Sequence, residues 1–371
     1  MASWNGTVKA AILVVAGSAL LMSSAFAQGA KPTLNIYNWS DYIAPDTVPN
    51  FTKETGIAVN YDVYDANETL EAKLSAGKSG YDLVVPSLMP FLARQVKAGF
   101  YLTLDKSKLA NYGNLSKPLL ERMAQVDPGN AHAIPWMTGT DGLAINVDKV
   151  KALLPDAPTN SLALLFDPKN AAKLKGCGIS IIDSPTDVFP AALKYLGLDP
   201  DSQKTEDLNK AAELLTKIRP YIRKFDSSDY INDLANGDLC LAFGYSSDIN
   251  LAKRRADEAA KGVHVAYVIP KEGALRWIDT MAIPKDAPHP ELALKFMDYI
   301  MRPEVIAETS NTIPVANGNA AATKFVKPEI ANDPGIYPPE DVVKTLYDIS
   351  VSTPAVDRTR TRLWTKVKTR R

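Results

Sequence analysis

Trp39, Ser40 and Asp41 close a short apolar run made by Leu34, Ile36 and Tyr37, and the following Tyr-Ile-Ala-Pro-Asp-Thr47 carries the chemistry of a turn and a helix start rather than more strand. An indole and a carboxylate at one strand end suit a cationic ligand: the ring offers a π face and the acid a counter-charge. Trp277 and Asp279 have the same character. They stand two apart in an apolar stretch, so in a strand both side chains leave the same face. In an open α/β sheet such strand ends face the ligand crevice. Each residue also has an ordinary alternative, Trp39 and Trp277 as core aromatics, Asp248 and Asp279 as turn or surface acids, and Ser40 and Ser87 as helix caps.

Signatures of catalysis are missing. The chain has no Gly-x-Gly-x-x-Gly, no Walker loop and no His-Glu-x-x-His, and Gly244-Tyr-Ser-Ser-Asp248 lacks the last glycine of a nucleophile elbow. His132, His264 and His289 lie far apart and none forms a local metal-ligand pair, so each reads as structural or surface. No spacing of carboxylates favours a glycosidase pair over ligand binding. The expectation is a protein that is not an enzyme and needs no cofactor or metal.

The elements that must position these residues alternate strand and helix, the pattern of an α/β protein. Strands are expected at 58–63, 81–85, 143–146, 179–182, 239–244, 263–269 and 277–283, and helices at 67–76, 90–98, 188–196, 205–218 and 290–300. A further helix from Tyr230 is closed by Gly237. Two segments read as crossings between lobes: 133–146, irregular and rich in Gly and Pro before its strand, and 269–274, which runs into the strand from Trp277. Two crossings leave a cleft, and short connections favour hinge closure around a small ligand.

Composition narrows the setting. Residues 1–27 hold one charge, Lys9, before the apolar run Ala10–Met22 and the small-residue segment ending at Ala27, which reads as a secretory leader cleaved near Ala27. Overall 42 Lys and Arg balance 42 Asp and Glu, and loss of Lys9 leaves a net charge of −1, so no global field points to nucleic acid or a membrane. The basic residues at 358–371 read as a solvated helix end, with Leu363 and Trp364 as packing residues. The only two cysteines, Cys177 and Cys240, would meet an oxidising compartment after export, which favours pairing; two buried free thiols are the alternative.

Six motifs, in order, carry a resemblance over nearly all of the mature chain: Ile36–Thr47, Tyr81–Ser87, Tyr230–Asp238, Pro270–Ala274, Asn332–Pro339 and Arg360–Lys368. Together they closely resemble the periplasmic putrescine/spermidine-binding proteins of bacterial ABC transporters. The resemblance implies a two-lobed periplasmic-binding-protein fold of type II, with lobe 1 over 28–138 and about 271–325, and lobe 2 over about 139–270 and about 326–371. It also implies a monomer that captures a polyamine, putrescine ahead of spermidine, in the cleft and delivers it to an inner-membrane permease.

Matched position by position, the pocket would take Trp39, Ser40, Asp41 and Ser87 from one lobe, Asp187, Tyr245 and Asp248 from the other, and Trp277 and Asp279 from the connecting strand. A polyamine is a methylene chain with ammonium ends, so it needs carboxylates at the ends and flat walls between. A cation over an aromatic face contributes about 0.5–2 kcal/mol and a charged hydrogen bond about 1.5–3 kcal/mol. A few of each leave micromolar binding after ordering and desolvation. Three positions depart from the family pattern: Asp187 where Glu is frequent, Trp277 where Phe is, and Val315 where Tyr is. The alternatives are a receptor of the same fold for another amine or an amino acid, and an exported enzyme acting on a cationic substrate.

Overall fold

Alternating burial along Thr33–Trp39 sets the first strand between two packed layers, with Leu34 and Ile36 fully enclosed. The computed structural model describes residues 32–369; the leader expected over 1–27 lies outside the described residues, as do Arg370 and Arg371. Among the described residues ten strands join in one mixed sheet: β1 (Thr33–Trp39), β2 (Ala58–Tyr64), β3 (Leu83–Val84), β4 (Ala133–Asn146), β5 (Ile179–Ile181), β6 (Lys224–Phe225), β7 (Leu241–Tyr245), β8 (Val265–Val268), β9 (Arg276–Ala282) and β10 (Ala316–Asn317). Their order is β2-β1-β3-β9-β4-β7-β5-β6, with β8 and β10 also paired to β4. The α/β class expected from the sequence is the class observed.

β4 organises the whole. It pairs antiparallel with β9 from Ala133 to Thr140, then with β7 and β8 from Asp141 to Asn146. The sequence reads this segment as irregular before a short strand, yet it is one strand of 14 residues. The irregularity survives as a register shift between Pro135 and Thr138, where proline has no N–H to give the ladder.

The apolar residues divide along β4. Ile134, Trp136 and Met137 pack with β1, β9 and the helices Thr47–Thr55, Pro290–Ile300 and Pro303–Thr312. Leu143, Ala144 and Ile145 pack instead with β5, β7 and the helices Pro185–Tyr195, Thr205–Ile218, Tyr230–Asn236 and Ser246–Ala259. Val326, Ile330 and Ile336 sit in the first of these cores, beside Ile313 and Val315.

The Tyr230–Asn236 helix ends as expected at Gly237, whose φ of 79° gives the left-handed cap. Cys177 and Cys240 are disulfide-bonded with Cα atoms 5.5 Å apart, tying together the segments that lead into the neighbouring strands β5 and β7. The basic C-terminal stretch lies in the helix Pro354–Thr369, docked through buried Trp364 and Val367 against Phe189 and Phe225. Among the described residues no helix is long and apolar enough to cross a membrane.

Candidate functional site

All nine residues selected from the sequence line one cavity of about 310 Å³: Trp39, Ser40, Asp41, Ser87, Asp187, Tyr245, Asp248, Trp277 and Asp279. β1 delivers Trp39, whose Nε1 donates to the Val85 carbonyl at 2.9 Å and whose ring leans on Tyr64 with centroids 4.7 Å apart. The indole is therefore fixed before any ligand arrives. Asp41 turns the chain with φ of 53°, a left-handed conformation that aspartate tolerates better than most residues. Its carboxylate already has a partner, Arg255 at 3.1 Å, and both side chains are partly open to solvent.

Arg255 belongs to the helix Ser246–Ala259, which also reaches the opposite core through Asn250 to the Pro314 carbonyl and Arg254 to the carbonyls of Asn311 and Thr312. This helix is not among the elements expected from the sequence. Its buried face is made largely of small or polar residues, Ser247, Asn250, Ala252 and Ala256, which blurs the helical period.

β9 supplies Trp277 and Asp279 on one face, as the spacing predicts. Trp277 lies opposite Gly139 of β4. A Cβ at residue 139 would stand 2.7 Å from the indole Cη2 and collide with Cζ2 and with Ser246 Oγ, so only glycine leaves room for the ring. Gly139→Ala is expected to displace Trp277, with about 1–3 kcal/mol lost from stability and a weaker site, to be read from thermal melts with and without ligand.

Asp279 accepts Ser87 Oγ at 2.6 Å and Tyr42 Oη at 2.8 Å, and Asn67 holds Ser87 in turn through its backbone N–H and hydroxyl. Burial pushes the Asp279 carboxyl up to about 6 even though both donors oppose the shift.

Across the cavity Asp187 and Asp248 each sit in the first turn of a helix, where unpaired N–H groups favour an anion. Tyr245 Oη donates to Asp187 at 3.1 Å; Tyr230 Oη and Ser247 Oγ donate to Asp248 at 2.9 and 3.1 Å. Burial raises Asp187, and it pushes Asp248 up to about 7, with Asp41 and Asp279 adding to the rise. The arginines in the cavity wall, Arg122 and Arg276, are both paired with Asp348, at 2.6 and 2.9 Å. Among the described residues no Lys or Arg forms an ion pair with Asp187, Asp248 or Asp279. Three acids held only by neutral donors, in a cavity also lined by Trp39, Tyr245 and Trp277, make a receptacle for a cation.

Sequence reasoning missed the donors Tyr42, Tyr230 and Asn67. The two tyrosines stand inside the motifs that carry the resemblance, but nothing local marks a hydroxyl that meets an acid 237 residues away. Val315, one of the departures from the family pattern, is 2% exposed and packs in the core with Ile313, outside the cavity lining. Asp82 is structural, fully buried and accepting backbone N–H groups of Asn35 and His289 at 2.8 and 2.6 Å. The three histidines stay apart, paired with Asp127, Asp148 and Asp82 respectively.

The bacterial extracellular solute-binding protein family model matches residues 46–338. A putrescine-binding periplasmic protein of Pseudomonas aeruginosa is 56% identical over 96% of both chains, and a putrescine-binding periplasmic protein of Escherichia coli is 52% identical over the same shares. A spermidine/putrescine-binding periplasmic protein of Escherichia coli is 34% identical over 90% of each chain. Among solved structures, a spermidine/putrescine ABC transporter substrate-binding protein from Streptococcus pneumoniae superposes with a TM-score of 0.73 at 25% identity, covering 91% of this chain and 98% of that one.

Proposed function

Because the chain belongs to the bacterial extracellular solute-binding proteins, we propose that it is a periplasmic receptor that captures a polyamine in this cavity and hands it to an inner-membrane ABC permease. The observation that carries this reading is the set of three acids in the cavity wall, Asp279 buried and Asp187 and Asp248 half-buried, each met by hydroxyl donors and none in an ion pair with Lys or Arg. An unpaired buried carboxylate is costly, and an ammonium relieves that cost where another neutral donor would not. Trp39, Tyr245 and Trp277 would cover the methylenes, and Ser40, Ser87 and Asp41 would complete the wall.

Putrescine is the favoured ligand and spermidine the second, since the relatives at 56% and 52% identity are named for putrescine and that at 34% for both. The two cores divided along β4 would act as lobes, residues 28–138 with about 271–325 against about 139–270 with about 326–371. A leader over 1–27 would be cleaved near Ala27 on export. The receptor would work as a monomer, so that both lobes face the permease.

Calorimetric titration of residues 28–371, stripped of carried-over ligand, against putrescine, spermidine, cadaverine and 4-aminobutyrate tests the reading. Saturable binding of an amine in the micromolar range or tighter is expected, with none for 4-aminobutyrate, whose carboxylate would face three acids. Absence of binding by every amine, or binding of the amino acid alone, would overturn it.

A further inference from the structure

Asp141 stands at the point where β4 leaves β9 and joins β7, with its amide bonded to the Leu275 carbonyl at 3.0 Å. It is 1% exposed, and both carboxylate oxygens are buried without a hydrogen-bond partner. Buried polar groups are otherwise almost always satisfied, so an acid left this way calls for a charge that the chain does not itself provide.

Two features of the strand pairing place this carboxylate on the cavity's side of the sheet, outside the lining itself. Asp141 lies opposite Tyr245, and residues directly opposed in an antiparallel pair project from one face of the sheet; Tyr245 lines the cavity. On its own strand it is two residues from Gly139, the position over which the Trp277 indole lies. Asp141 therefore sits behind the wall that Tyr245 and Trp277 share. Asp187, Asp248 and Asp279 act on it, and it acts in turn on the hydroxyls of Tyr230, Tyr245, Tyr267 and Tyr347; Arg276, on β9 opposite Thr140, is already paired with Asp348.

Resting on the polyamine reading, we propose that Asp141 is a specificity-determining residue that narrows the preference for putrescine, raising affinity for a linear triamine more than for a diamine through its field on the cavity. A diamine brings two ammoniums to four acids, Asp141 and Asp279 buried and Asp187 and Asp248 half-buried, whereas a triamine brings three, so the extra ligand charge is rewarded by the acid that no protein group satisfies. Contact with the ligand is unnecessary, because two charges several ångströms apart in a poorly hydrated interior still interact appreciably. Burial and the three neighbouring acids raise the Asp141 carboxyl well above the usual carboxylate range, and a third ligand ammonium would oppose that rise and favour proton release.

The test is calorimetry on the parent chain, Asp141→Asn and Asp141→Ser, with putrescine and spermidine, each in two buffers of different ionisation heat so that released protons are counted. Far-UV circular dichroism and melting check that each variant folds, and the two substitutions guard against one that does not. Spermidine affinity is expected to fall about tenfold more than putrescine affinity, and the protons released on spermidine binding to decrease. Equal changes for both amines with an unaltered proton count would overturn the role of Asp141 while leaving the receptor standing. Failure of the parent chain to bind either amine would overturn the polyamine reading and this inference with it.

Discussion

Asp248→Ala and Asp279→Ala are each expected to weaken putrescine binding about a hundredfold, near 2.7 kcal/mol, with the fold retained. Asp279 is buried and Asp248 half-buried, and each receives two hydroxyl donors that orient its lone pairs without neutralising its charge. Removing either one would leave a ligand ammonium desolvated and unmatched, which costs more than the lost hydrogen bond alone. Asp41→Ala provides the contrast. That carboxylate is 49% exposed and already paired with Arg255, so its loss should change affinity by no more than about fivefold. Titration calorimetry on the three variants ranks them; changes under threefold for both Asp248 and Asp279 would remove them from the binding site.

Affinity should also climb with pH. An ammonium needs ionised partners, and burial lifts Asp279 to about 6 and Asp248 to about 7, so protons compete with the ligand across this range. The amine itself stays charged, being far more basic. Binding is expected to strengthen at least about tenfold between pH 5.5 and pH 7.5, with protons released into the buffer.

The ligand-free protein should show the opposite trend. A carboxyl whose folded value exceeds its unfolded value binds more protons in the native state, so stability is greatest below the usual carboxylate range and falls as pH rises towards 7. Melting curves at pH 5, 6, 7 and 8 with and without putrescine separate the two: the empty protein loses stability with pH while the ligand-induced increment grows. A flat increment would mean that these acids do not meet the amine.

How much of this was legible beforehand depended on locality. β1 and β9 could be read because their apolar residues are contiguous or alternate, and the shared face of Trp277 and Asp279 followed from a two-residue spacing. Asp187, Tyr245 and Asp248 came through the resemblance alone, since an acid in the first turn of a helix is ordinary. Only the end of β4, at 143–146, could be read, because Pro135, Gly139 and Gly142 imitate a loop, while its hydrogen bonds come from strands more than 90 residues away. Asp141 sits between threonine and glycine and reads locally as a turn residue. Only the pairing of β4 with β7 shows that it is buried.

The glycines of β4 also limit how such a site could change over evolutionary time. A Cβ at Gly139 would strike Trp277, and one at Gly142 would stand 2.5 Å from the Val268 carbonyl and 2.6 Å from the Tyr267 ring. Neither position can donate a side chain to the cavity without displacing its own neighbours. Drift in ligand preference must therefore run through the residues around the strand, such as Asp187, Tyr245 and Trp277, whose side chains can lengthen, shorten or change charge. The strand that joins the two cores is the part of the wall least able to explore.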